Sequence, residues 1–232
     1  MNNTMRATSV DLKNQWLPFT PNRDFKEDPR IFESAKGLYF YSPQGDAILD
    51  GSSALFTTPA GHARPEIADA IRDQVMHLDY TSSFLRSHPG SNAVCNRLAE
   101  ILPPGMGTIF LCNSGSESID TAAKIALQYH RAEGQSSRSI FVSREKAYHG
   151  SNLSGVALGG IGANRRDFGM PLLPVVHMRP TSLESNKFTS GQGTKGAELA
   201  EDLKRLILLH GEENVAACIV EPISGSDRKS VV

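Results

Sequence analysis

Cysteine is scarce in this chain. Its 232 residues hold Cys95, Cys112 and Cys218, far apart and without a Cys-x-x-Cys spacing. That excludes a disulfide scaffold, and the three read as small buried residues in a reducing compartment. The seven histidines fall into no His-Glu-x-x-His or similar pattern, so no metal centre is expected. Excess charge of either sign is missing too: 24 Lys and Arg against 25 Asp and Glu leave a net charge of −1, which speaks against a nucleic-acid partner. No apolar run reaches membrane-spanning length. The first twenty residues, with Asn2, Asn3, Arg6, Asp11 and Lys13, contain no apolar signal core. The expectation is a soluble, cytoplasmic protein with no membrane partner. There is no internal repeat and no low-complexity tract. The apolar content of 39% and the length suit one large domain or two small ones.

The most informative stretch is Asn113-Ser114-Gly115-Ser116-Glu117-Ser118. Before it, Thr108-Ile109-Phe110-Leu111-Cys112 reads as a buried strand. After it, Ile119, Ala122, Ala123, Ala126 and Leu127 recur at helical spacing. The helix is predicted to run to about Glu133, with Gly134 after its end. A small-residue turn thus opens a helix whose first turn offers unpaired N–H groups and the positive end of the dipole. Gly115 lets an anion approach the backbone, and Ser114 and Ser116 add hydroxyls. This is the pattern of a phosphate cup. The same residues also describe an ordinary turn followed by a capping serine. Glu117 weighs against a bare nucleotide site, since a carboxylate beside a phosphate needs a reason.

Along the rest of the chain, residues 1–35 lack periodicity. Trp16-Leu17-Pro18-Phe19-Thr20 reads as an arm that packs onto something. Gly37 to Asp50 is predicted to form a hairpin turning at Ser42-Pro43-Gln44-Gly45-Asp46. Gly51 to Gly61 is a small-residue loop in which Leu55 and Phe56 either line a pocket or cover the core. A helix is predicted from Pro65, with Ile67, Ile71, Val75 and Leu78 on its apolar face. A second carries Val94, Leu98, Ile101 and Leu102 and stops at Pro103-Pro104-Gly105. Ser139-Ile140-Phe141-Val142 is predicted as a strand leading to Tyr148-His149-Gly150. A helix is expected early in 151–160, irregular chain over 161–195, and an amphipathic helix from Gly196 to His210. Val215 to Val220 is predicted as a buried strand ending at Glu221-Pro222.

Strands alternating with helices predict an α/β fold with a parallel sheet. Ligands of such sheets bind beyond the carboxyl ends of the strands. The cup, Tyr148-His149 and Glu221 all fall at such ends. A phosphate cup, an aromatic ring and a carboxylate together suit a flat, phosphorylated, aromatic cofactor.

At this point the sequence resembles a known family, the class III aminotransferases, which are pyridoxal 5'-phosphate enzymes of fold type I. It is most similar to the β-alanine–pyruvate (ω-amino acid–pyruvate) group. The stretches that carry the resemblance are Trp16 to Thr20, Asn22-Arg23, Leu49-Asp50-Gly51, Gly61 to Ile67, Asn113 to Glu117, Lys124 to Leu127, Tyr148-His149-Gly150 and Ile219 to Pro222. They run from about Asn14 to Ser226.

The resemblance implies a transaminase that moves an amino group from an ω-amino acid or amine to pyruvate, working as a homodimer. It implies that Ser114, Gly115 and Ser116 bind the cofactor phosphate and that Tyr148 stacks on the pyridine ring. Without the family, Tyr148 also reads as a buried tyrosine at a strand end. His149 would support the loop, and Glu221 would belong to the hydrogen-bond shell near the ring. Phe56 stands where the ω-amino acid enzymes usually place a tryptophan in the substrate pocket, a departure that bears on donor size. Neither Lys124 nor Lys146 aligns with the Schiff-base lysine. That lysine and the aspartate that pairs with the pyridine nitrogen both follow the Glu-Pro strand in the family, and the sequence does not contain them.

The expected organisation is therefore residues 1–60 as arm and hairpin of the small domain, and 61–226 as the first part of the cofactor-binding large domain. The tail 227–232 has no counterpart in the family and reads as non-native, as though a reading frame had run from a gene into adapter sequence. The fragment is expected to be inactive. The alternatives are another class III enzyme, such as a different transaminase or an aminomutase, and a non-catalytic phosphate-binding fragment.

Overall fold

Turn chemistry and helix-starting prolines decide where regular structure begins in the first part of the chain. The computed structural model describes residues 11–168, 173–184 and 196–225, and the tail 227–232 lies outside them. The chain divides into two units, Met1–Ile101 and Leu102–Val232.

In the first unit, α1 spans Asn22–Glu27. The Asn22 carboxamide clasps the arm before it. It accepts from the Leu17 N–H at 2.8 Å and donates to the carbonyls of Leu17 and Thr20 at 2.8 and 2.9 Å. Three short strands follow, β1 (Ser34–Lys36), β2 (Tyr39–Tyr41) and β3 (Ala47–Leu49), in an antiparallel sheet of order β1-β2-β3. The predicted hairpin is β2–β3, closed by Gly45 N–H to Ser42 O at 2.9 Å and Ser42 N–H to Asp46 O at 3.0 Å. β1 lies at the end of the arm that shows no periodicity. Then come α2 (Ser53–Phe56), α3 (Pro65–His77) and α4 (Pro89–Ile101). Pro65 occupies the first turn of α3, as its fixed φ favours. Ile67, Ile71 and Val75 of α3 are exposed, and Leu12 is the one buried apolar residue of this unit among the described residues.

The second unit holds a parallel sheet. Its elements are α5 (Gly115–Ala132), β4 (Ile140–Arg144), α6 (Leu153–Leu158), α7 (Gly162–Arg165), β5 (Val175–Met178), α8 (Gly196–His210) and β6 (Val215–Cys218). The strand order is β5-β4-β6, and β4 pairs parallel with both neighbours. Alternation along the strands divides the core between two faces. Phe141 packs with Ala123 and Leu158, supported by Ile119, Val175 and Ala217, on the side of α5 and α6. Val142 packs with Met178 and Leu206, supported by Leu203 and Val176, on the side of α8. Phe141, Leu158, Val142, Met178 and Leu206, the large buried ones, each contribute about 1.5–3 kcal/mol. Arg179, just after β5, holds α8 in place: its N–H and Nε donate to the buried Asp202 at 2.9 and 3.0 Å.

Three expectations are corrected. Thr108–Cys112 forms no strand, and Phe110 and Leu111 are exposed. A strand exists only when an edge pairs with it, and no described segment pairs with this run. Conversely, β5 lies within 161–195, expected to be irregular: its four residues, hydrogen-bonded along β4, are too short for a periodic signal. Finally, none of the cysteines is buried: Cys95 and Cys112 are half-buried and Cys218, at the end of β6, is exposed.

Candidate functional site

The turn before α5 is a reciprocal cap. Ser114, in extended backbone, is the N-cap, and its Oγ accepts from the Glu117 N–H at 3.1 Å. The Glu117 carboxylate reaches back to accept from the Asn113 N–H at 3.0 Å. This Ser-x-x-Glu box ties down the turn and gives the carboxylate a structural reason to stand there. The capping reading of Ser114 and the cup reading are therefore compatible. The cap consumes the Glu117 N–H, while the Gly115 and Ser116 N–H groups lie ahead of the first possible intrahelical acceptor.

The loop after β4 packs directly onto this helix start. Ser116 Oγ accepts from the Ser151 N–H at 2.9 Å and lies 3.4 Å from Ser151 Oγ. Either hydroxyl can donate in the Ser116–Ser151 contact. Gly150 has φ +114°, and a Cβ there would stand 2.7 Å from Ser116 Oγ and 2.9 Å from Ser116 Cα. Only glycine lets the Tyr148-His149-Gly150 segment lie this close. Asn152 Nδ2 donates to Asp120 Oδ2 at 2.9 Å, a second tie between loop and helix. Burial opposes ionisation of Asp120, but hydrogen bonds from Ser154 and Asn152 outweigh it and hold the carboxyl below its ordinary value.

Tyr148 is 42% exposed, so it is not the buried strand-end tyrosine of the alternative reading. Its N–H donates to Glu221 Oε1 at 3.4 Å, joining this loop to the segment after β6. Ser114, Gly115, Ser116, Tyr148 and Glu221 are thus brought together by bonds of the chain itself. His149 is 7% exposed, with Nε2 unpartnered among the described residues. Burial first, and the nearby His177 second, hold its pKa below 6.5. His177 is held low by burial and by the Arg165 guanidinium, while its Nε2 lies 3.2 Å from the carbonyls of Leu158 and Gly159. Both shifts favour the neutral ring. Ser151, Asn152 and Asp120 carry no signal in the sequence; nothing short of the folded arrangement distinguishes them.

Phe56 lies in the first unit, 77% exposed, at the end of a left-handed turn. Lys124 is exposed on α5, and Lys146 Nζ donates to Ser182 Oγ at 2.9 Å. Among the described residues no group of three or more His, Cys, Asp or Glu is placed to hold a metal ion. No helix there is long and apolar enough to cross a membrane.

A model of the aminotransferase class-III family matches residues 22–227. The chain belongs to that family. It is 46% identical to an omega-aminotransferase of Caulobacter vibrioides over 93% of this chain and 49% of that protein. It is 41% identical to a beta-alanine–pyruvate aminotransferase of Pseudomonas aeruginosa over 95% and 49%. Among solved structures, an (S)-enantioselective omega-transaminase of Thermomicrobium roseum superposes with TM-score 0.85 at 28% identity, over 93% of this chain and 49% of that one. The class III aminotransferases are pyridoxal-phosphate enzymes of fold type I, and the sheet of β4, β5 and β6 is part of that α/β domain. The chain spans about half the length of the curated relatives it matches.

The residues present fit that cofactor. A Cβ at Gly115 would meet nothing within 4 Å, so there is open space beside the turn. The Ser116 hydroxyl lies at the helix start with Gly150 packed against it, and the Tyr148 ring is partly exposed in the same loop.

Proposed function

We propose that this chain is the cofactor-cradling half of an ω-amino acid–pyruvate transaminase. Bound there, pyridoxal phosphate supplies an electron sink for the carbon that exchanges its amino group. In this reading the N–H groups of Gly115 and Ser116 and the Ser116 hydroxyl hold the phosphate. Tyr148 covers one ring face, and Glu221 fixes the loop edge near the ring. Ser114 and Glu117 keep the turn in one conformation so that the donors converge without reorganising. Phe56 shapes the donor pocket, smaller there than a tryptophan would be. The group that carries protons and tethers the cofactor belongs to the half of the relatives' length that this chain does not span.

The single observation carrying the substrate class is the gradient of similarity. Identity is 46% and 41% to the omega and beta-alanine–pyruvate relatives, against 33% to a putrescine–pyruvate aminotransferase of Pseudomonas aeruginosa. The lack of the tethering lysine favours, for the 232 residues alone, weak cofactor binding and no transamination. The test is to continue the chain so that it spans the full length of its relatives. The continued protein should fix cofactor to a lysine on borohydride reduction and transfer nitrogen from β-alanine to pyruvate. The 232-residue chain should do neither, and turnover by it would sink the assignment of the lysine.

A further inference from the structure

Four successive residues without a glycine, Ser53, Ala54, Leu55 and Phe56, have φ of +50°, +49°, +59° and +69°. Residues with a Cβ visit this region singly and at a cost, because Cβ crowds the following carbonyl. A left-handed turn built this way must be held from outside. The Asp50 side chain, 4% exposed, does so. Its Oδ2 accepts from the Ala54 N–H at 2.7 Å and lies 2.8 Å from His62 Nε2. Its Oδ1 accepts from the Ser52 N–H at 3.1 Å and the Ser52 hydroxyl at 3.3 Å. Ser52 continues the grip through its carbonyl, which accepts from the Phe56 N–H at 2.9 Å.

Both ends of the clamp are anchored in the small sheet. The Asp50 N–H donates to Leu38 O at 2.8 Å. His62 exchanges N–H and carbonyl bonds with Gly37 at 2.8 and 3.0 Å, and its ring stands 4.5 Å from that of Phe40. Against the burial that opposes it, the bonds from His62, Ser52 and Ala54 hold the Asp50 carboxyl below its ordinary range. The acceptor form that the clamp needs is therefore the form present at neutral pH. The strained turn is not repaid by burial of its own apolar side chains, since Leu55 is 75% exposed and Phe56 as open. Backbone strain held in place by several hydrogen bonds tends to cluster at binding sites.

We propose that Asp50 and His62 are positioning residues that lock the Ser53–Phe56 turn left-handed and so fix the orientation in which Phe56 meets the amino donor. The donor half of this rests on the reading of Phe56 given above; the clamp does not.

Chymotrypsin cleavage of the 232-residue chain after Leu55 and Phe56, referenced to cleavage after Phe110 and Phe168 in the other unit, reads the clamp. Asp50→Ala should raise the ratio roughly tenfold, because cleavage tracks the open population, and Asp50→Asn should raise it less. Should Asp50→Ala unfold the unit, a second pair reads the turn with every side-chain bond intact. Ala54→Gly, which accepts positive φ, should keep the parent ratio, and Ala54→Val, β-branched, should raise it. An unchanged ratio in Asp50→Ala, or equal loosening by glycine and valine, overturns the clamp. In the continued protein, Asp50→Ala should shift relative kcat/KM between small and bulky donors with cofactor affinity unchanged. An unshifted donor profile alongside faster cleavage overturns the role in specificity. A continued parent protein that fails to transaminate instead overturns the proposed function, and leaves the cleavage result standing.

Discussion

Two glycines at the cup should respond in opposite ways to the same added methyl. At Gly150 a Cβ would lie 2.7 Å from Ser116 Oγ, 2.9 Å from Ser116 Cα and 3.2 Å from Ser116 Cβ, and φ is +114°. Rotating the serine hydroxyl relieves the first clash, but the clash with the serine α-carbon yields only if backbone moves. A side chain forced into a sparse backbone region costs about 1–3 kcal/mol. Overpacking a fitted interface costs about the same again. Together Gly150→Ala should cost roughly 2–6 kcal/mol, a large part of the ~5–15 kcal/mol that holds a domain folded. At Gly115 nothing lies within 4 Å of the added Cβ, and the residue opens a helix. Gly115→Ala should therefore stay within about 1 kcal/mol of the parent.

Urea unfolding separates the two. Gly150→Ala should lower the midpoint by roughly 1–3 M at an ordinary slope for a small domain, while Gly115→Ala leaves it in place. Titration of the continued protein with pyridoxal phosphate then reads the other half. Gly115→Ala should weaken cofactor binding although it does not touch stability, because the methyl occupies the approach to the N–H groups. A Gly150→Ala protein that unfolds at the parent midpoint would refute the packing argument. A Gly115→Ala protein that binds cofactor like the parent would remove the cup from the site.

Ser114→Ala removes the N-cap acceptor for Glu117 N–H and should cost about 1 kcal/mol in thermal or urea unfolding; no loss would show that the cap carries nothing. Asp202→Ala strips the acceptor from Arg179 N–H and Nε and should cost roughly 1.5–3 kcal/mol, measured the same way. Because Arg179 holds the Asp202 carboxyl low, with burial opposing, that contribution is present above the ordinary aspartate pKa of 3.8 and is lost as pH falls below it. His149 and His177 act in a higher window. Their pKa values are depressed below 6.5, so the unfolded chain binds protons first and stability declines as pH falls from about 6.5. The slope is at most about 1.4 kcal/mol per pH unit for each ring. Unfolding midpoints that stay flat between pH 7 and pH 5 would contradict this.

What the sequence reveals, and what it hides, follows the range of the interaction. Helices with caps and one-sided apolar spacing are written locally. Pro65 starting α3, Ser114 starting α5 and the Leu199–Leu203–Leu206 face of α8 need no knowledge of the rest of the chain. The hairpin is legible for the same reason, since its turn is local. Strand pairing is not. Thr108–Cys112 has the composition of a strand and forms none, whereas β5, only four residues with His177 inside, is a strand because β4 offers it an edge. The start of α5 was legible as a Gly-Ser turn before a helix. Its counterpart Ser151 and the ties from Asn152 were not, because a serine whose backbone N–H donates to a hydroxyl thirty-five positions away looks like any other serine.

The same distinction explains why the site is coherent within the second unit. Its elements come from three places in the chain, the start of α5, the loop after β4 and the segment after β6. The loop after β4 is joined to each of the other two by a backbone donor, Ser151 N–H to Ser116 Oγ and Tyr148 N–H to Glu221 Oε1. A backbone N–H survives substitution of its own side chain, so these junctions depend on Ser116 and Glu221 and not on the residues that donate to them. Changing Ser151 to alanine should leave the loop docked, whereas changing Ser116 to alanine removes the acceptor and the cup hydroxyl together. The cup residue is therefore also the latch for the loop that carries Tyr148. Substitution there should loosen this loop, readable as faster amide exchange over 148–151 even in the absence of cofactor.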